Sequence, residues 1–300
     1  MDGGITVMNA FAGFHPAALM LYFVTVLLFT MFTWNPVLLA LSLAGGMAFV
    51  TALERPRELG RNLAFYLPLY LMIAVINPLF SHNGVTPLFF LNGNPVTLEA
   101  VLYGLDIAVM LVAVLYWFKG YNHVMTSDKF LFLFARAIPK LALMLSAALR
   151  FVPLFKVQVR RVNRAQKAMG LYAADSYVDK VKGGLRVFLF LIAWSLENAV
   201  ETGDSMRARG YGLKGRSHFS LFRFTLRDGV LLGGTAAALS VLLAGFLSGA
   251  VAFSFYPRIT ALPVSPLAAA CYVVFGVLTL LPFILEAEGN AKWRYYRSKI

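Results

Sequence analysis

The sequence has little cysteine and little charge. Cys271 is its single cysteine, which excludes an intrachain disulfide and a metal site built from several thiolates. Only 14% of the 300 residues are charged and 59% are hydrophobic, whereas about a quarter of the residues in a soluble domain are charged. The phosphate-binding motif GxxxxGK(S/T) is also missing, so the chain is predicted to bind no nucleotide itself. The low charge together with the high hydrophobic content favours an integral membrane protein.

Histidine is scarce too, and its positions do not form a site. The four histidines occupy separate loops and helix ends, with no two at helical spacing: His15, His82, His123 and His218. We therefore expect neither a histidine metal site nor a histidine base. The first apolar run has no Lys or Arg before it, so a removable signal peptide is not expected.

Long apolar windows are what the chain has in abundance. Six of them approach or reach the roughly 20 residues that a helix needs to cross the hydrocarbon core, at 16–34, 36–53, 63–80, 99–118, 228–252 and 264–285. They predict an all-α, polytopic membrane protein with about six transmembrane helices. Two further windows, 130–149 and 185–200, are interrupted or closed by charge and are interpreted as helices at the membrane interface or packed on the bundle. The sequence leaves open whether these two cross.

Basic residues orient the predicted spans. The segment 119–227 holds nineteen of the 27 basic residues and six of the 14 acidic ones, so its formal charge of +13 equals that of the whole chain. Cytoplasmic loops are rich in Lys and Arg, so this segment is predicted to be cytoplasmic. The loop 54–62, with Arg55, Arg57 and Arg61, is placed inside as well. Both termini then lie in the cytoplasm, and basic loops, rather than nucleic-acid binding, explain the charge.

The same reasoning divides the chain into three blocks. An N-terminal membrane block of four helices covers 1–118, a basic cytoplasmic or interfacial segment covers 119–227, and a membrane hairpin with a basic tail covers 228–300. The protein is therefore expected in the cell membrane as a multi-pass protein. Two glycine pairs, Gly45-Gly46 and Gly233-Gly234, are expected to mark close contacts between helices.

Two helices of the basic segment end alike. One apolar run becomes polar and ends in Ala168-Met169-Gly170 with Tyr172 close behind, and the other ends in Ala208-Arg209-Gly210-Tyr211. Glycine adopts the left-handed conformation of a helix C-cap without a steric penalty. The matching ends suggest a pair of helices built for one kind of contact.

Charged stripes run along both of these helices. A basic stripe lies at helical spacing on the first, and an acidic stripe lies on the second. The basic stripe consists of Lys156, Arg160, Arg164 and Lys167, and the acidic one of Glu197, Glu201 and Asp204. Two interpretations stay open: the stripes pair the helices with each other, or they are the solvated faces of two cytoplasmic helices.

The residues of this segment resemble a known family. The resemblance is dense over 126–213, and its strongest points are Pro139-Lys140, Arg150-Phe151-Val152-Pro153, Arg164-Ala165-Gln166 and the run Met206 to Tyr211. They are similar to the transmembrane T component of energy-coupling factor transporters, the EcfT/CbiQ family that includes the cobalt-transport CbiQ proteins. Elsewhere the likeness is one of hydropathy only.

The resemblance implies a coupling subunit of an importer. In that family two helix ends dock into grooves of two ATP-binding cassette ATPases, which use ATP and Mg²⁺, and a separate membrane-embedded S component binds the vitamin or transition-metal ion. The chain itself would be non-catalytic and bind no cofactor. Ala208, Arg209 and Gly210 match one docking end. At the other, Ala168, Met169 and Gly170, methionine stands where the family has Arg, so either Lys167 or Arg164 supplies the charge or this contact is apolar.

Two other functions remain as alternatives. A stand-alone membrane enzyme of lipid or prenyl chemistry would use Asp175 and Asp179, because paired carboxylates can bind a metal diphosphate. A lipid-binding scaffold would use the basic segment to attract anionic lipid. Asp106, inside the fourth span, is a candidate functional acid, or else a buried hydrogen-bond partner of a neighbouring helix.

Overall fold

The computed structural model describes residues 10–54, 56–81, 83–91, 94–170, 177–213 and 222–298. Arg55, His82, Tyr172, Asp175 and His218, which entered the sequence argument, lie outside these ranges. The chain divides into two compact units. Unit 1 consists of the described parts of 1–129 and 222–300, and unit 2 of those within 130–221.

Helices dominate the described chain, as the sequence predicts. A short 3-10 turn at Phe11–Gly13 comes first, and one antiparallel hairpin, β1 (Pro87–Leu91) and β2 (Asn94–Thr97), connects the third and fourth helices. The α-helices are α1 (Pro16–Phe32), α2 (Pro36–Leu53), α3 (Pro56–Phe80), α4 (Leu98–Val124), α5 (Ser127–Ala137), α6 (Pro139–Ala168), α7 (Tyr177–Ala208), α8 (Leu226–Leu247) and α9 (Pro266–Arg297). All six predicted windows are confirmed as helices.

Seven of the described helices are long and apolar enough to cross a membrane: α2, α3, α4, α6, α7, α8 and α9. Helix α1 is also apolar, and its 17 residues are at the short end of the range for a spanning helix. The protein is therefore a multi-pass membrane protein. The window 185–200 lies within α7, whose length and composition permit a crossing, so the interfacial position of this helix stays a prediction, as does the cytoplasmic location of both termini.

The interruption predicted in the window 130–149 is present in the structure. Helix α5 ends at Ala137 and α6 begins at Pro139, with Ile138 as its N-cap residue in a non-helical conformation. Proline is suited to the first position of a helix because its missing N–H has no partner there. The long helix α6 therefore begins at the sequence signal that breaks the window.

An aromatic cluster forms the core of unit 1 around α1. Phe11, Tyr22, Phe23, Phe49 and Trp117 are all fully buried. Their rings meet mostly edge to face, with Phe11 5.3 Å from Tyr22 and 5.6 Å from Phe49 between centroids, which is the arrangement that aromatic quadrupoles favour. The buried polar atoms of the cluster are satisfied, as when the Tyr22 hydroxyl donates to the Leu278 carbonyl at 2.8 Å.

The prediction of a close contact between helices is confirmed for the glycine pair Gly45-Gly46. A Cβ atom at Gly45 would lie 2.6 Å from the Cβ of Thr279 on α9, and one at Gly46 would lie 3.2 Å from the Cβ of Tyr116 on α4. Helix α2 therefore packs closely against α4 and α9 because these two positions carry no side chain.

Candidate docking site at two helix ends

The C-terminal end of α7 is built by a glycine. Helix α7 ends at Ala208, and Gly210 has a φ of +79°, in the left-handed region. The Gly210 N–H donates to the Arg207 carbonyl at 2.9 Å, and the Tyr211 N–H donates to the Met206 carbonyl at 3.0 Å. This pair of bonds is the Schellman motif, which satisfies carbonyls that a helix end leaves free. The predicted glycine C-cap is confirmed, and Arg209 is the residue immediately before this glycine.

Helix α6 ends in the same way as far as Gly170, the last residue described there. Its last helical residue is Ala168, and Met169 is the C-cap residue. Gly170 has a φ of +69°, and its N–H donates to the Lys167 carbonyl at 3.1 Å. Met169 thus holds the same position in its motif as Arg209 does at the end of α7. The likeness read from the sequence is a likeness of backbone geometry.

The side chains at both helix ends are exposed within the described part of unit 2. Ala168, Ala208 and Arg209 are exposed, and Met169 has 66% of its surface accessible. An arginine offers a planar fork of donors that suits a carboxylate or a pair of carbonyls, whereas methionine offers a flexible apolar contact. The two ends share a shape and differ in chemistry.

The charged stripes of α6 and α7 do not pair with each other. Lys156, Arg160, Arg164 and Lys167 are all exposed. Within the described ranges no ion pair joins them to the acidic stripe on α7, where Asp204 instead lies 3.9 Å from Arg207 of its own helix. Of the two interpretations, the structure favours solvated faces.

Aromatic contact holds α6 and α7 together instead. The rings of Phe155 on α6 and Trp194 on α7 meet edge to face with centroids 5.6 Å apart. Both helices are long, with 30 and 32 residues, which at 1.5 Å per residue gives lengths of about 45 and 48 Å.

Asp106 on α4 is buried, with 6% of its surface accessible. Its Oδ2 atom has no hydrogen-bond partner among the described residues, so the alternative of a hydrogen bond to a neighbouring helix is not observed there. A buried acid in a membrane helix is a functional candidate by default. Its role stays a hypothesis, because among the described residues it belongs to no group of three or more His, Cys, Asp or Glu side chains that could hold a metal ion.

A buried polar cluster that the sequence argument missed ties the ends of three helices together. The ammonium of Lys119 on α4 lies 2.8 Å from Oε1 of Glu54, the C-cap residue of α2, and Asn62 on α3 hydrogen-bonds to both. The Glu54 side chain is 3% exposed and that of Lys119 is 23% exposed. Lys119 is 65 positions from Glu54 in the sequence, so no spacing rule reveals the pair.

A second missed feature fastens the N-terminal turn to the core. Phe11 donates its N–H to Oε2 of Glu286 on α9 at 3.1 Å, and the buried ammonium of Lys129 on α5 donates to the carbonyls of Ala12 and Val124. Burial lowers the pKa of Lys129, because the protein replaces the water that favours its charged form. These contacts fix the turn that places Phe11 in the aromatic cluster.

The residues of the enzyme alternative are only partly described. Asp179 is exposed near the start of α7, and its partner Asp175 lies outside the described ranges. Among the described residues no group of three or more His, Cys, Asp or Glu side chains is placed to hold a metal ion.

The fold is that of a helical multi-pass membrane protein with two glycine-terminated helix ends. Comparison with known sequences identifies its family. Residues 15–221, about two thirds of the chain, match the profile of CbiQ, described as cobalt transport protein. The chain belongs to this family of membrane transport components. The match includes all of α6 and α7 and both helix ends.

Curated relatives carry a related name, energy-coupling factor transporter transmembrane protein EcfT. The protein from Listeria innocua is 36% identical over 97 residues, which are 32% of this chain and 37% of the relative. Those from Lacticaseibacillus paracasei and Brevibacillus brevis are 32% identical over 108 residues and 34% identical over 105 residues, covering 35% and 34% of this chain and 41% and 38% of the relatives. The chain thus spans about two fifths of these relatives.

Proposed function

We propose that this protein is the transmembrane coupling subunit of an energy-coupling factor importer. The observation that carries the proposal is the pair of exposed, glycine-terminated helix ends at Ala168 to Gly170 and Ala208 to Gly210. They lie within the region that matches the CbiQ family, and the similar proteins are named as transmembrane proteins of energy-coupling factor transporters.

The α7 end suits insertion into a groove of an ATPase. Ala208 allows close approach, Arg209 offers donors to a partner's carboxylate or carbonyls, and Gly210 terminates the helix so that its tip can enter. The Schellman bonds fix the backbone before contact, which reduces the ordering cost of binding. A helix held in a groove then transmits movement of the partner along its axis.

The α6 end is proposed to dock through an apolar contact. Met169 holds the position that Arg209 holds on α7, and its side chain is accessible. Lys167 and Arg164, both exposed on the last turns of α6, supply charge beside the contact rather than at its centre. We therefore expect the two ATPase grooves to differ, with an acidic or carbonyl-rich pocket for Arg209 and a more apolar pocket for Met169.

The remaining parts of the importer belong to partners in this proposal. Two ATPase subunits bind and hydrolyse ATP with Mg²⁺, a membrane-embedded S component binds a vitamin or a transition-metal ion, and this chain is the non-catalytic link between them. The cargo is then set by the S component. Asp106 is kept as a candidate for a role within the membrane, separate from docking.

Copurification tests the proposal. The tagged full-length chain, expressed in its native host and gently solubilised, is expected to retain two ATPase subunits and a small membrane protein. Arg209→Glu should sharply reduce the retained ATPase without reducing the amount of chain in the membrane. Lys182→Glu, an equal charge change at an exposed position near the other end of α7, serves as the matched control. If the wild-type chain retains no ATPase, the coupling function is refuted, and if Arg209→Glu behaves like Lys182→Glu, Arg209 is not a docking residue.

A further inference from the structure

An apolar groove of about 1010 Å³ runs between α8 and α9 in unit 1. Its walls include Val230 and Val241 on α8 and Val273 and Val277 on α9. Val230, Val273 and Val277 are 70%, 66% and 60% exposed. The volume is at the upper limit of the roughly 300–1,000 Å³ that small-molecule sites occupy, so the groove is of a size for an amphiphile rather than an ion.

The lining of the groove includes an exposed glycine, Gly234, whose expected helix contact is missing. The pair Gly233-Gly234 is predicted to mark a close approach of helices, but a Cβ atom at either position would meet nothing within 4 Å among the described residues. That prediction is wrong for this pair within the described part of the chain. Gly234 lines the groove and Gly233 does not, so the space beside Gly234 is open to an occupant.

Charged side chains stand at one end of the groove only. Arg227 at the start of α8 and Glu288 and Lys292 near the end of α9 line this mouth. Lys292 forms an exposed ion pair with Glu288, so two cations and one anion leave the mouth with a positive charge. The basic segment before α8 and the basic tail after α9 predict that this mouth faces the cytoplasm.

The groove is long enough for a lipid chain. From Arg227 to Val241 the lining follows α8 over 14 residues, which corresponds to about 21 Å at 1.5 Å per residue. One leaflet of the hydrocarbon core is about 15 Å thick. An acyl chain that enters from the cytoplasmic mouth therefore stays against groove walls through its whole leaflet.

We propose that this groove binds an anionic phospholipid of the cytoplasmic leaflet. Its acyl chain packs against Val230, Gly234 and Val277, and its phosphate lies between Arg227 and Lys292. Arginine and lysine both bind phosphate oxygens through charge-assisted hydrogen bonds, and the apolar walls gain dispersion contacts that an empty groove lacks. The cationic mouth is what favours an anionic lipid over a neutral lipid or the helix of another protein.

The test is native mass spectrometry of the purified full-length chain with added phosphatidylglycerol or phosphatidylcholine. We expect Gly234→Leu, which places a side chain in the groove, to weaken phosphatidylglycerol binding at least tenfold. Gly233→Leu, an equal change one position away and outside the lining, should leave it unchanged. The double variant Arg227→Gln/Lys292→Gln should lower the preference for phosphatidylglycerol about fivefold per lost charge, from the roughly 1 kcal/mol that each basic residue contributes near anionic lipid.

A charge control separates this mouth from general attraction to the membrane. Arg161→Gln/Lys182→Gln removes one Arg and one Lys at exposed positions outside the groove and should keep the preference for phosphatidylglycerol.

Equal binding of the two lipids by the wild-type chain would overturn the proposal. Equal effects of the two double variants, or of the two leucine variants, would overturn it as well. A dimer of the chain that Gly234→Leu dissociates would assign the groove to a second copy instead. Equal melting temperatures of the leucine variants exclude misfolding as the cause of any difference.

Discussion

Replacing Gly210 by alanine is the sharpest test of the α7 end. The φ of +79° at this position costs a residue with a Cβ atom about 1–2 kcal/mol. The added atom would also lie 3.1 Å from Cδ1 of Leu213, a flexible side-chain end that can shift at little further cost. We therefore expect the ordered end of α7 to lose about 1–2 kcal/mol, which is a factor of about 5–30 in its population.

Two measurements detect this loss. Amide hydrogen exchange at Tyr211, whose N–H is held by the Met206 carbonyl, should accelerate by the same factor of about 5–30, because opening of the end controls exchange. If the α7 end docks as proposed, the affinity of the chain in lipid nanodiscs for its proposed ATPase partners should fall by a similar factor, because only the ordered end would then be competent to bind. Gly210→Asn should lose less in both, since asparagine tolerates the left-handed region.

Gly203→Ala provides a control of opposite sign on the same helix. Gly203 is inside α7, has no positive φ, and a Cβ atom there meets nothing within 4 Å. Alanine should stabilise the helix by about 0.5–1 kcal/mol and leave ATPase affinity unchanged or slightly higher. The reasoning is refuted if Gly210→Ala binds the ATPase pair as tightly as the wild-type chain while Tyr211 exchange accelerates, or if the alanine and asparagine variants lose affinity equally.

Two further predictions concern the membrane unit. Lys119→Met leaves the buried Glu54 carboxylate without its cation, and we expect a loss of about 3–5 kcal/mol in unfolding free energy, seen as a lower melting temperature in detergent. Gly45→Ala forces a Cβ atom to within 2.6 Å of Thr279 Cβ, and we expect the overpacking to cost about 1–3 kcal/mol by the same assay.

Each of these has its own control. Adding Glu54→Leu to Lys119→Met removes both charges and should restore most of the melting temperature, since an apolar pair can replace a buried ion pair at little cost. No recovery would mean that the cluster acts through something other than charge pairing. Gly233→Ala, where a Cβ atom meets open space, should leave the melting temperature unchanged or slightly raised, since alanine is favoured over glycine inside a helix. An equal drop in both glycine variants would contradict close packing as the role of Gly45.

The features that the sequence predicts well are those encoded by neighbouring residues. Apolar windows predict helices because a membrane helix satisfies its backbone internally, so α2 begins and ends where its window does, at Pro36 and Leu53. The break before Pro139 follows from the missing N–H of proline. The turns at Gly170 and Gly210 follow from glycine's access to positive φ.

The features that the sequence does not predict depend on distant parts of the chain. The Glu54 and Lys119 pair joins residues 65 positions apart, and the bond from Phe11 to Glu286 joins residues 275 positions apart. A glycine pair indicates that close approach is allowed, but it does not say whether a helix comes near. That is why Gly45 meets Thr279 while Gly234 faces an open groove.

The pairing of Lys119 with Glu54 has a consequence for the order of events in biogenesis. In the predicted topology the end of α4 that carries Lys119 faces the cytoplasm, so before the helices pack Lys119 is expected to act as one of the basic residues that orient the helix, while acidic residues such as Glu54 contribute little to orientation. Only after α2, α3 and α4 assemble does the carboxylate reach the ammonium at 2.8 Å. The predicted topology thus gives one lysine two expected roles, first in orienting α4 and later as an ion-pair partner between helices, and a variant such as Lys119→Met should disturb both stages.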